Sequence, residues 1–209
     1  MVRKQMREDI VQKIELLSGL KDSAYPDQAE LAGKMLSDSL RNGGKLLFAG
    51  NGGSAADAQH FAAELAGRFL MEREPLAALS LCVDPSVMTC IGNDYGYDAV
   101  FSRQVAALGR KGDVFTGIST SGNSKNIIEA VRMAKTIGMK TVCLLGKGGG
   151  ELAGMCDCAL VVPSDMTPRI QEIHTYTVHL LCGYLEKELF GEKELFGEKE
   201  LFGEKENVG

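Results

Sequence analysis

Lys45-Leu46-Leu47-Phe48-Ala49-Gly50-Asn51-Gly52-Gly53-Ser54-Ala55-Ala56-Asp57-Ala58-Gln59-His60 decides the fold class of this chain. A short apolar run, Lys45–Ala49, ends in a glycine cluster, and an Ala-rich helical stretch, Ser54–Phe69, begins at once. The order is strand, tight turn, helix. It returns at Val114–Ile118, followed by Ser119-Thr120-Ser121-Gly122-Asn123-Ser124 and a helical stretch to Ile137. Such junctions present backbone N–H groups at the positive end of a helix, here with hydroxyls beside them. That is an anion site, most simply a phosphate site.

Outward from these two junctions the alternation continues. Leu76–Leu81, Thr141–Leu145 and Ala159–Val162 read as strands. Ser86–Ile91 and Tyr97–Leu108 read as helices, broken by the turn Gly92-Asn93-Asp94-Tyr95-Gly96. Thr167-Pro168 opens a long last helix. Upstream, residues 6–20 and 27–42 have helical periodicity, and Asn42-Gly43-Gly44 supplies a stop. Five strands alternating with helices predict a parallel sheet covered on both faces. Ligands of such sheets bind beyond the carboxyl ends of the strands, where both loops lie. At the other end, Glu186-Lys187-Glu188-Leu189-Phe190-Gly191 recurs from Glu192 and from Glu198. A six-residue step rotates each Leu-Phe pair by about 120° around a helix, so no apolar stripe forms. The reading is a frayed or disordered tandem tail over 191–209, favoured over a partner-binding segment, after N-terminal helices at 1–44 and a main domain at 45–190.

The 209 residues suffice for one domain with a core. The net charge of −5 and the lack of a basic stripe argue against a nucleic-acid partner. No apolar run approaches the ~20 residues that span a bilayer, and the first residues lack a signal core. Cys82, Cys90, Cys143, Cys156, Cys158 and Cys182 contain no C-x-x-C pair and read as buried thiols of a reducing compartment. The expected location is therefore the cytoplasm.

Several side chains could carry chemistry. Gly50–Ser54 is neither a P-loop, which needs Gly-Lys-Ser/Thr, nor a G-x-G-x-x-G dinucleotide loop. His60 and Glu64 stand four apart on one helix face, where they could bind zinc or simply each other. Arg68 could pair with Glu64 or meet an anion. Gln171, His174 and His179 share the last helix. Gln171 and His179 are ~12 Å apart along its axis, so a common metal would need them to lean together or to serve sites in different subunits. Asn93 and Asp94 have a local reason to sit in a turn, and Asp57 and Gln59 could complement a helix dipole.

The stretch Gly50–His60, then Glu64, Gly67-Arg68-Phe69, Ile91–Tyr97, Phe101–Gln104, Ile118–Ser124, Gly146–Gly150 and Arg169–His174 resembles the phosphoheptose isomerases of the sugar isomerase (SIS) domain superfamily. The resemblance covers nearly all of residues 1–190. It implies an α/β three-layer sandwich, flavodoxin-like, with a five-stranded parallel sheet plus N-terminal helices. It implies an aldose–ketose isomerase acting on D-sedoheptulose 7-phosphate in heptose and lipopolysaccharide synthesis. It also implies a homotetramer with sites between subunits, using the N-terminal helices for assembly, and one zinc ion (Zn2+) per subunit on His60, Glu64, Gln171 and His179. Glu64 and His179 would be catalytic. Substrate contacts would be Asn51, Gly52, Gly53, Ser54, Glu64, Asn93, Asp94, Ser119, Thr120, Ser121, Ser124 and Gln171. Two other readings stay within the same superfamily: a non-catalytic partner-binding protein, and an enzyme or sensor for another phosphosugar.

Overall fold

The computed structural model describes residues 2–191. Five parallel strands form one sheet: β1 (Leu46–Gly50), β2 (Ala78–Ser80), β3 (Val114–Ser119), β4 (Lys140–Leu145) and β5 (Cys158–Val161), in the order β2-β1-β3-β4-β5. This is the doubly wound, flavodoxin-like order. The eight helices of the described residues are α1 (Val2–Lys21), α2 (Tyr25–Arg41), α3 (Gly53–Ala66), α4 (Pro85–Tyr95), α5 (Ser102–Leu108), α6 (Lys125–Ile137), α7 (Gly150–Ala153) and α8 (Thr167–Phe190).

Strand residues alternate between two cores. Leu46, Phe48, Val114, Ile118, Val142 and Leu144 pack with α2, α3 and α8. Leu47, Ala49, Phe115, Cys143 and Leu145 pack with α5 and α6 on the other face. Burial on both faces is why the strands read as unbroken apolar runs. The chain leaves β1 for β2 on one side, then returns to β3 on the other. Gly50 pairs with Ile118, so the loops after β1 and β3 emerge side by side at the switch point.

Two readings of the sequence need correction. The turn expected at Gly92–Gly96 is helical, because α4 runs through Gly92, Asn93 and Asp94 to Tyr95. Asp84 caps its start, accepting the Val87 N–H at 3.0 Å, and Pro85 follows. Glycine inside a helix costs only about 1 kcal/mol, and the true stop is Gly96 at φ +85°. The second concerns cysteine. All six are free, but only Cys143, Cys158 and Cys182 are buried, and Cys90 is exposed. Helix α8 ends at Phe190 and includes nearly all of the first copy of the hexad repeat. The later copies, from Glu192, lie outside the described residues. Among the described residues, no helix is long and apolar enough to cross a membrane.

Candidate active site

The first loop is built for close approach. Gly52 takes φ +56° at the start of α3, and a side-chain carbon on Gly53 would lie 2.5 Å from Nε2 of Gln171. The N–H groups of Ser54 and Ala55 fold back onto the carbonyls of Asn51 and Gly52 at 3.0 Å each. These helix-start donors are therefore spent internally, which makes this loop a poorer anion cradle than its glycines suggest.

The second loop differs. Ser124 precedes α6, yet its hydroxyl does not cap the helix. It pairs with the Ser119 hydroxyl at 2.8 Å. Asn123 N–H donates to Ser121 Oγ at 3.2 Å, and Gly122 at φ +67° lies against the backbone of Gly149 and Gly150. Four hydroxyls, from Ser119, Thr120, Ser121 and Ser124, are thus gathered in one turn.

An amide pair joins the two loops. Asn51 donates to Asn126 at 3.0 Å, and Asn126 donates back at 2.8 Å. Tyr97 adds its hydroxyl to Asn51 Oδ1 at 3.1 Å. Neither Asn126 nor Tyr97 figured in the sequence reading as a binding residue. Asn126 gave a weak signal, an amide in the first turn of a helix that follows a hydroxyl loop.

A cluster of imidazole and carboxylate groups lies further along α3. Glu64 Oε1 is 2.9 Å from His60 Nε2, and His179 Nε2 is 3.3 Å from the same nitrogen. The three donor atoms lie within 4.8 Å of one another. The His60 and His179 rings meet edge to face at 4.9 Å, and Phe69 stacks on His179 at 5.5 Å. Two imidazole nitrogens aimed at one another, with a carboxylate oxygen between reach of both, form a donor set suited to zinc. Their side chains are only partly exposed, 36% for His60 and 25% for Glu64, so the cluster opens to solvent without being bathed in it.

Beside the cluster, Asp57 Oδ1 accepts the Thr175 hydroxyl at 2.7 Å. Burial raises its carboxyl above the usual range, opposed by Thr175 and by His60. This role replaces the dipole partner expected of Asp57.

The remaining candidates divide. Gln171 sits against Gly53, at the loop end of α3 and away from the His–Glu–His cluster along the helix. Asn93 and Asp94 are exposed in the last turn of α4, with Asn93 Nδ2 donating to Asp94 Oδ1 at 2.8 Å. Arg68 pairs with Glu72 at 3.7 Å on the surface, leaving Glu64 to His60. His174 is buried, donates from Nε2 to the Leu145 carbonyl at 3.1 Å, and is held neutral by desolvation with its pKa lowered to about 4. It fastens the end of β4.

A parallel sheet of this order carries a hydroxyl loop at its switch point, and the chain belongs to the SIS domain family, whose model matches residues 14–146. The chain belongs more narrowly to the phosphoheptose isomerase family. It is 52% identical to the phosphoheptose isomerase of Helicobacter pylori strain P12, over 87% of this chain and 97% of that protein. Against the Sulfurimonas denitrificans phosphoheptose isomerase it is 50% identical, over 91% and 98%. The structure of phosphoheptose isomerase GmhA from Neisseria gonorrhoeae superposes with a TM-score of 0.85 at 43% identity, covering 90% of this chain and all of that one. A phosphoheptose isomerase from Francisella tularensis gives 0.86 at 39% identity, covering 90% and 99%.

Proposed function

We propose that this chain converts D-sedoheptulose 7-phosphate to D-glycero-D-manno-heptose 7-phosphate, with Glu64 as the base and the Ser119–Ser124 loop as the phosphate grip. The observation that carries the reading is the convergence of His60, Glu64 and His179, whose donor atoms lie within 4.8 Å of one another. The reaction moves hydrogen between C1 and C2. A base takes the C1 proton, the C2 oxygen gains one to form an enediol, O1 then loses its proton, and C2 gains one. Glu64 has two oxygens for two tasks: Oε1 is held by His60, and Oε2 serves the carbon-bound proton. His179 exchanges the oxygen protons.

The metal site of this reading uses His60, Glu64 and His179, with Gln171 of a neighbouring subunit as the fourth ligand. Zinc held there would supply Lewis-acid polarisation of the sugar carbonyl. Asn51, Gly52, Gly53, Ser54, Gln171, Asn93 and Asp94 bind the sugar in this reading, and Ser119, Thr120, Ser121 and Ser124 the phosphate. Grip on the phosphate turns remote binding energy into orientation of C1 and C2.

The reading extends to assembly, which the exposed apolar surface supports. Helix α1 exposes Val2, Met6, Ile10, Val11 and Ile14, and an apolar groove between α1, α2 and α8 is lined by Leu17, Tyr25, Tyr176 and Leu180. In this reading further copies cover these faces in a homotetramer, with the N-terminal helices as its interface. The expected compartment remains the cytoplasm.

The test is turnover of sedoheptulose 7-phosphate by wild type, Glu64→Gln and His179→Ala, with metal analysis of each. Removing a general base lowers kcat by about 10²–10⁴. Full activity in both variants would sink the assignment.

A further inference from the structure

We propose that Arg73 and Glu186 are positioning residues for the isomerisation, holding the turn that carries Glu64 in register with His179. The proposal rests on the reading of the His60–Glu64–His179 site given above. Both side chains are fully buried, and Arg73 Nε lies 3.0 Å from Glu186 Oε1. Burying an ion pair is seldom favourable for stability by itself, since apolar residues of like size often do better. The contacts around the pair indicate another use.

The Arg73 guanidinium works at the end of α3. Nη2 donates to the carbonyl of Glu64 itself at 2.8 Å, and Nη1 to the carbonyls of Leu65, Gly67 and Glu74 at 2.9, 3.2 and 3.1 Å. A cation over the last carbonyls of a helix also complements its dipole. The Glu186 carboxylate works on the following loop. It accepts the N–H groups of Phe69, Leu70 and Met71 at 3.0, 2.9 and 3.1 Å. With Arg73 this gives four donors to its two oxygens, a full complement for a carboxylate.

Each held segment touches the reactive cluster. Glu64 is nine residues before Arg73, and its own carbonyl is gripped. Phe69, held through its N–H, presents its ring to His179. Glu186 follows His179 on α8 by about two turns, so both lie on the same side of that helix. The pair therefore ties the backbone under Glu64 and the ring beside His179 to the helix that carries His179. Among the described residues, neither side chain hydrogen-bonds to the Ser119–Ser124 loop, so loosening the clamp should spoil the proton transfers and spare phosphate binding.

The experiment measures steady-state isomerisation of sedoheptulose 7-phosphate well below the melting temperature. Wild type is compared with Arg73→Lys, Glu186→Gln and Val105→Ala. Val105 is buried in α5 on the opposite face of the sheet and serves as a stability control. Arg73→Lys keeps the charge while losing the fork, so it carries the test if Glu186→Gln does not fold. The clamp variants should lose at least about tenfold in kcat with KM within about threefold, as expected when reacting groups shift by a fraction of an ångström. Arg73→Ala should recover part of its kcat when free guanidinium ion is added. Clamp variants whose kcat matches that of Val105→Ala, or whose KM rises with kcat unchanged, overturn the proposal alone. A wild type that does not turn over the sugar overturns the reading of the site, and the proposal with it.

Discussion

Replacing Gly122 by alanine forces a methyl group between two backbones. Gly122 takes φ +67°, and its new carbon would overlap the carbonyl group of Gly149 and lie 2.7 Å from Gly150 N. Left-handed backbone costs an L-residue about 1–2 kcal/mol, and overpacking adds about 1–3 kcal/mol. Backbone cannot swing aside as a side-chain end can, so the Ser119–Ser124 turn must move. Gly122 also accepts the Leu152 N–H at 3.0 Å, and that bond is strained by the same movement. The total, about 2–5 kcal/mol, corresponds to a fall in Tm on the order of 10 °C for a chain of this size. If this turn grips the phosphate, losing one hydrogen bond to a charged group costs ~1.5–3 kcal/mol of binding, or at least about tenfold in KM. Gly43→Ala is the control. Gly43 has φ +75° but open space around it, so it incurs only the backbone cost, with KM unchanged. Calorimetry and steady-state kinetics read both quantities. A Gly122→Ala protein with wild-type KM would refute the phosphate grip, and one as stable as Gly43→Ala would refute the packing argument.

The buried His174 predicts acid sensitivity. Its pKa is lowered from 6.5 to about 4 by desolvation, so the unfolded chain binds its proton first. Its contribution is complete above pH 6.5 and is lost as pH falls toward 4, reaching about 3 kcal/mol in the acid limit. Urea melts at pH 7 and pH 4.5 should show His174→Leu losing ~2–3 kcal/mol less than wild type over that interval; equal losses would exclude this histidine as a source. Truncation separates the hexad copies. A stop after Gly191 should leave Tm and activity within error, whereas a stop after Leu185 removes Glu186, strands a buried guanidinium and costs about 3–5 kcal/mol. Identical melts for the two truncations would mean that Glu186 contributes nothing to the fold.

The strands and most helices were legible because burial on both faces makes a strand a plain apolar run, and because Asn42-Gly43-Gly44 and Thr167-Pro168 are local punctuation. The His60–Glu64 pair was legible for the same local reason, four residues being one helical turn. Gly92–Gly96 misled because composition resembles a turn while a capped start at Asp84-Pro85 and a stop at Gly96 govern. Asn126 and Arg73 could not be found locally, since each is defined by a partner far along the chain, 75 residues away for Asn51 and 113 for Glu186. The hexad repeat drew attention away from Glu186. Its repetition hid the first glutamate, which has a buried structural role, whereas the later copies lie beyond the described residues.

The relation of α3 to α8 explains why these distant contacts matter to chemistry. The pairs Asp57–Thr175 and His60–His179 join α3 to α8 with separations of 118 and 119 residues, and Phe69, just past the end of α3, lies 117 residues from Glu186. A nearly constant offset means that the two helices run parallel and in step along the stretch that holds the cluster. In a helix each residue turns the chain by about 100° and advances it 1.5 Å. A slip of one residue would carry His179 off the facing side entirely, so His60 and Glu64 could not meet it by side-chain adjustment. The Asp57–Thr175 bond fixes the register before the cluster, and the Arg73–Glu186 pair fixes it after. Two polar contacts that look structural when taken singly therefore bracket the reactive triad, and the precision of a 3.3 Å approach between two imidazoles depends on both ends being held.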